Sequence, residues 1–221
     1  MDGADLRHVT TWLFDLDNTL YPLETGLGID ISERITNFVE QLTGLPRDQA
    51  RTLQKRYLDE HGLTLRGLML NHGVDPNEFH ETFADLSLEA LAHDPELIGA
   101  IGRLPGRRLI FTNADAGHAR RVMNHLRLDM LFHEVFHIES ADFIPKPDPE
   151  AFRRLIAAHA LEPASTAFFE DRAMNLEPAK ALGMTTVLVG LGAEANDEPF
   201  VDHRAPRLAP FLASARVKET V

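Results

Sequence analysis

The 221 residues predict an α/β protein, a Rossmann-like parallel sheet with a helical unit inserted into it. Three observations carry this prediction. An apolar run, Trp12 to Phe14, leads straight into Asp15, and a buried strand that ends on a carboxylate is how an open parallel sheet presents chemistry at its carboxyl edge. From Gly28 to about Leu91 the apolar residues recur only at helical spacing. After Pro105-Gly106 short apolar runs alternate with helical patterns, which is the signature of βαβ units with right-handed crossovers.

Taken in order, Trp12 to Phe14 is the first strand and WLFDLDNTLYP, Trp12 to Pro22, its functional turn. Asp30 and Glu33 fit a capping box for a helix in which Ile31, Ile35, Phe38, Val39 and Leu42 share a face until Gly44. A second helix runs from Arg47 to Glu60, a third segment covers Leu65 to Leu70, and a fourth starts at Pro76 behind Asp75. Polar linkers near 23–28 and 93–95 give a division into a core of residues 1–22 and 95–221 and a helical cap of residues 23–94. Arg108 to Phe111 is the next strand and ends on Thr112-Asn113; Gly117 to Leu126 is the helix after it. Val135 to Ile138 is a strand, Asp148-Pro149 opens a helix, Thr166 to Phe169 is a strand ending on Glu170-Asp171, and Thr185 to Val189 is the fifth. Beyond Gly190 the pattern weakens to a loop at 192–199 and a final helix at 206–213.

Composition narrows the function. A net charge of −12 disfavours nucleic acid and anionic membrane surfaces as partners. The absence of cysteine excludes disulfides and thiolate metal sites. No apolar run has membrane-spanning length and the N-terminus lacks a secretory pattern, so the cytoplasm is the expected location.

The chemistry lies at the strand ends. Asp15 and Asp17 sit within one short turn, where two negative charges repel unless a proton or a cation intervenes, and hard oxygen donors suit Mg²⁺. Thr112, Lys146 between Pro145 and Pro147, and the Glu170-Asp171 pair occupy the ends or flanking loops of the other strands.

In this order the four sites resemble the four motifs of the haloacid dehalogenase superfamily over nearly the whole chain. LDNTLYP, TLRGLM, LPGRRLIFTNA, FIPKPDPEAF and FFEDRAMNL are similar, more narrowly, to pyrimidine 5′-nucleotidases of that superfamily. The resemblance implies a Mg²⁺-dependent phosphatase acting on pyrimidine nucleoside 5′-monophosphates, small phosphomonoesters. It implies Asp15 as nucleophile and Asp17 as proton donor and then base. Thr112, Asn113 and Lys146 would bind the phosphoryl group, and the metal would be held by Asp15, Asp17 through its main-chain carbonyl, and Asp171, with Glu170 direct or one shell out. Asn175 fits either metal support or a helix cap. Arg66 is the candidate for substrate recognition in the cap, against the alternative of an exposed helix residue. A phosphatase or mutase acting on sugar phosphates shares all four motifs. A dehalogenase needs no proton donor after its nucleophile, which Asp17 argues against, and a non-catalytic binding module would have no reason to keep all five motif residues.

HEVFH, His133 to His137, matches the zinc-protease pattern in letters only. Val135 and Phe136 favour a strand, and residues four apart on a strand do not reach one ion. The other nine histidines show no cluster in sequence and are expected at the surface or in structural roles.

Overall fold

A computed structural model describes residues 3–218. Six parallel strands form one sheet in the order β3-β2-β1-β4-β5-β6: β1 (Thr11–Phe14), β2 (Arg107–Phe111), β3 (Glu134–Phe136), β4 (Thr166–Glu170), β5 (Thr185–Val189) and β6 (His203–Ala205). The order reverses direction at β1, so the carboxyl ends of β1, β2 and β4 open onto the crevice where such sheets bind ligands. Leu13 pairs with Leu109 on one side and Phe168 on the other, and the Asp15 N–H continues the ladder to the Phe169 carbonyl at 2.9 Å.

Period-two alternation splits the sheet's side chains into two layers. Trp12, Phe14, Ile110, Phe169 and Val187 pack with helices α5 (Pro95–Gly102), α6 (Ala116–Leu126) and α9 (Leu208–Ser214). Leu13, Leu109, Phe111, Phe168 and Leu188 face α7 (Pro149–His159) and α8 (Ala173–Ala181). Stacked Phe14 and Phe169 rings, 4.6 Å between centroids, close the layer beneath Asp15. Gly106 allows β2 to start: its φ is +82°, and a Cβ would lie 2.2 Å from the Thr10 carbonyl oxygen.

Between β1 and β2 come α1 (Leu27–Thr43), α2 (Arg47–His61), α3 (Thr64–His72) and α4 (Pro76–Glu81). They bury Val39, Ala50, Tyr57, Leu65, Leu68 and Phe79 in a cluster of their own. Leu86 and Leu91, inside the stretch read as cap, pack instead into the sheet's first layer.

Several elements differ from the sequence reading. The first helix begins at Leu27, with Gly26 as its cap in the left-handed region, so Asp30 and Glu33 form no capping box; burial of Leu27 extends the helix past them. Helix α5 was not expected, although Asp94 accepts from the Leu97 N–H and Pro95 stands at the first position, the same signature that opens α4 and α7. β6 is a sixth strand, and β3 stops two residues short of Ile138.

Candidate active site

Asp15 leaves the central strand with its carboxylate buried, and three groups fix it. Lys146 Nζ donates to Asp15 Oδ1 at 2.7 Å and Thr19 Oγ1 to Oδ2 at 3.0 Å, while the Asp15 main chain is locked in the β1–β4 ladder. Lys146 is itself about 1% exposed and spends its other two protons on Glu170 Oε1 and the Phe111 carbonyl, both at 2.8 Å. Its ammonium also lies 5.0 and 5.3 Å from the Phe111 and Phe168 ring centroids, so the second core layer contributes cation–π attraction. Burial opposes its charge, but the Asp15 and Glu170 carboxylates outweigh burial and hold it protonated.

Glu170 accepts from Lys146 and Asn175 Nδ2 (2.5 Å) on one oxygen and from the Arg172 N–H (2.6 Å) on the other. Oxygens of Asp15, Glu170 and Asp171 lie within 4.8 Å of one another. Burial first, and then the Glu170 charge, raise both Asp15 and Asp171 well above the ordinary carboxylate range. Three crowded carboxylates facing one ammonium leave room for further positive charge. The unpartnered, buried Asn18 Oδ1 and Asn175 Oδ1 on the same cavity wall add two neutral oxygens. This all-oxygen donor set fits a hard divalent cation.

Asp17, two residues on, accepts from Tyr21 Oη at 2.6 Å and pairs with His118 Nε2 at 2.8 Å. Burial pushes the Asp17 carboxyl up, but His118 and Tyr21 outweigh it and hold it low; the same pairing raises His118 against its own burial. His118 comes from α6, whose N-terminus is capped by Asp115 accepting from the His118 N–H at 2.9 Å. Thr112 at the end of β2 is buried, and its hydroxyl oxygen accepts from the Ala114 N–H, leaving the hydroxyl proton to donate elsewhere. Asn113 uses its side chain on the Lys146 backbone.

A cavity of about 220 Å³ gathers Asp15, Asp17, Thr112, Asn113, Lys146, Glu170 and Asp171 on its floor. Ile31, Ile35, Leu58, Leu63, Phe79 and Phe83 line it from the helical side, with His80 and Asp115 as polar groups. Arg66 is not on its wall: the guanidinium donates to the Phe143 carbonyl at 2.9 Å. Asn175 does not cap α8, which has Arg172 at that position.

Sequence reading missed His118, Tyr21 and His80. Tyr21 lay in view inside LDNTLYP; the two histidines reach the cavity only through folding. His133 and His137 flank β3 and turn to different partners, Arg108 and Glu139, so HEVFH forms no joint site.

Among solved structures, the L-2-haloacid dehalogenase from Xanthobacter autotrophicus with chloropropionic acid covalently bound superposes with a TM-score of 0.58 at 15% identity, over 93% of this chain and 97% of that one. A HAD phosphatase from Thermococcus onnurineus gives 0.59 at 20% identity, over 90% and 94%. At such identities these likenesses show the fold. In sequence, the chain is 30% identical over 193 residues to phosphate metabolism protein 8 of Saccharomyces cerevisiae, covering 80% of this chain and 60% of that protein. Residues 9–183 match the model of the haloacid dehalogenase-like hydrolases, which takes in every strand-end residue from Asp15 to Asp171, and the chain belongs to that family of hydrolases.

Proposed function

We propose that the protein is a Mg²⁺-dependent phosphatase that hydrolyses pyrimidine nucleoside 5′-monophosphates through an aspartyl-phosphate. The observation that carries this reading is the pairing of two differently treated carboxylates in one cavity: Asp15 against Lys146, and Asp17 against His118. A carbon–halogen displacement needs no acid beside its nucleophile, whereas release of an alkoxide from phosphorus does. The yeast relative's name and the segments similar to pyrimidine 5′-nucleotidases support phosphate chemistry, and the apolar helical wall suits a small flat base.

In this account the Asp15 carboxylate forms a bond to phosphorus as the bond to the ribose oxygen breaks, and that oxygen takes a proton that Asp17 relays from His118. His118 stands behind Asp17 as proton store, and Tyr21 fixes the carboxylate's orientation. Asp17 then takes a proton from the water whose oxygen attacks phosphorus, freeing Asp15 and inorganic phosphate. Thr112 donates its hydroxyl proton to a phosphoryl oxygen beside the Asn113 main-chain N–H, and Lys146 offsets negative charge on Asp15 and the transferred group. Asp15, Asp171 and the Asp17 carbonyl would hold the cation; Glu170, both of whose oxygens already accept donors, orients Lys146 and Asn175 around it. When bound, Mg²⁺ neutralises phosphoryl charge. Helices α1–α4, in the stretch 23–94, act as the cap that surrounds the leaving nucleoside and keeps water from it.

The test is phosphate release from pyrimidine and purine nucleoside monophosphates and sugar phosphates, with Mg²⁺ or with chelator. Pyrimidine turnover that chelator abolishes is the expected result. Turnover of sugar phosphates alone removes the nucleotide assignment, and no turnover by folded, metal-loaded protein removes the phosphatase assignment.

A further inference from the structure

The loop that carries Lys146 is gripped from two sides. On the sheet side Asn113 clasps its backbone: the Lys146 N–H donates to Asn113 Oδ1 at 2.9 Å, and the Asn113 amide donates to the Lys146 carbonyl at 3.1 Å. On the helical side α2 ends on Gly62, with φ +75°, directly against the same peptide; a Cβ there would stand 3.0 Å from the Lys146 carbonyl oxygen and 3.3 Å from Pro145 Cγ. A side chain there would push the Lys146 peptide away by a few tenths of an ångström and strain the left-handed backbone, so glycine suits this approach.

Four residues further, Arg66 on α3 donates to the carbonyl of Phe143, three residues before Lys146. Phe143 belongs to the sheet-side chain, yet its ring packs against the helical cluster and stacks on His80 with centroids 6.4 Å apart and planes at 29°. Asp142 and Phe143 both have φ of +56°. Bulky side chains seldom occupy that region, and they stay there only when the surroundings fix them. Here the fixing groups are the Ile138 carbonyl, which accepts the Phe143 N–H at 2.9 Å, the helical cluster around the ring, and Arg66 on the carbonyl.

We infer that Arg66 is a positioning residue for Lys146, holding the 142–147 loop against the helical unit and so setting the ammonium on Asp15. The inference rests on the phosphatase reading for its kinetic part. Three bonds of 2.7 to 2.8 Å converge on Lys146 Nζ, and a loop displaced by about 1 Å breaks them, a misplacement that can cost on the order of 10²-fold in rate. Because Arg66 stands off the cavity wall, its loss acts through Lys146, and so chiefly on the chemical step.

The experiment compares Arg66→Met, which keeps the alkyl packing and removes the donors, with Arg66→Lys, which keeps a donor. Arg66→Leu serves as a second donor-free variant should the methionine variant melt at the assay temperature. Two readouts are taken: kcat and KM for the preferred phosphomonoester, and hydrogen–deuterium exchange of the peptide spanning 142–148. The expected result is kcat lower by roughly 10- to 100-fold with KM within about 2-fold, near-complete recovery with lysine, and faster exchange at 142–148 with β4 unchanged. A raised KM at unchanged kcat would overturn the inference, because Arg66 would then be touching substrate; so would unchanged exchange at 142–148. Should the wild-type protein release no phosphate from any monoester, the phosphatase reading falls, and the exchange comparison still decides whether Arg66 holds the loop.

Discussion

Replacing Lys146 by methionine separates the electrostatic role of this residue from its volume. Methionine fills nearly the same space, so no cavity opens, but Asp15 Oδ1, Glu170 Oε1 and the Phe111 carbonyl lose their shared donor. Removing one partner of a buried ion pair costs about 3–5 kcal/mol, because the other charge is left uncompensated. Here two carboxylates, 10% and 1% exposed, lose the same cation, which places the cost at the upper part of that range. For a chain of this length each kcal/mol moves Tm by about 2–4 °C, so the variant should melt roughly 8–20 °C below wild type in chelator. Adding Glu170→Gln to Lys146→Met removes one orphaned charge and should recover part of the loss. The assay is thermal unfolding in chelator at pH 7.5, followed by circular dichroism. A Lys146→Met protein as stable as wild type would refute the reasoning, since it would mean that the two carboxylates do not depend on the lysine.

Other perturbations test separate parts of the account. His118→Asn should lower kcat by roughly 10- to 100-fold at little change in KM, because Asp17 loses its proton store but keeps Tyr21; unchanged kcat would remove His118 from the proposed reaction. Gly106→Ala should destabilise by about 3 kcal/mol or more, measured by urea unfolding, since the new Cβ meets the Thr10 carbonyl at 2.2 Å and φ is +82°. Asp202 accepts from Lys180 Nζ at 2.5 Å and the Thr186 N–H at 3.0 Å; burial raises its carboxyl, and these donors outweigh burial and hold it low. Its folded value therefore lies below its unfolded one, so its contribution is present above about pH 4 and fades as pH falls. Asp202→Asn should cost about 1 kcal/mol at neutral pH, and its urea midpoint should converge on that of wild type below about pH 4.

Strand ends were the legible part of this chain. Trp12 to Asp15 and Thr166 to Asp171 read correctly because a strand buried on both faces is apolar throughout, and the first charge marks where the sheet opens to the crevice. Helix α5 was equally legible, since Asp94-Pro95 repeats the cap of α4 and α7, but its eight residues fall between the linker near 93–95 and the strand pattern after Pro105-Gly106, where the sequence reading assigns no element. β6 was not: three residues at a sheet edge, with His203 and Arg204 half-buried, carry no alternation to detect. His118 reaches Asp17 across 101 positions of sequence and occupies an ordinary place on an amphipathic helix, so only the packing of α6 on the sheet reveals it. Arg66 illustrates the converse. Its position in TLRGL suggested a substrate reader, and the fold gives its guanidinium a main-chain carbonyl instead.

Asp15 is the proposed nucleophile, and trapping the phosphorylated protein tests that role directly. Enzyme mixed with a pyrimidine nucleoside monophosphate and Mg²⁺ is quenched in acid within one turnover, digested, and the peptides are read by mass spectrometry. The expected result is a single phosphoryl group on the peptide containing Asp15, absent from Asp15→Asn, whose turnover is also lost. Phosphate release that continues in Asp15→Asn, or a phosphoryl group carried by another residue, would contradict it.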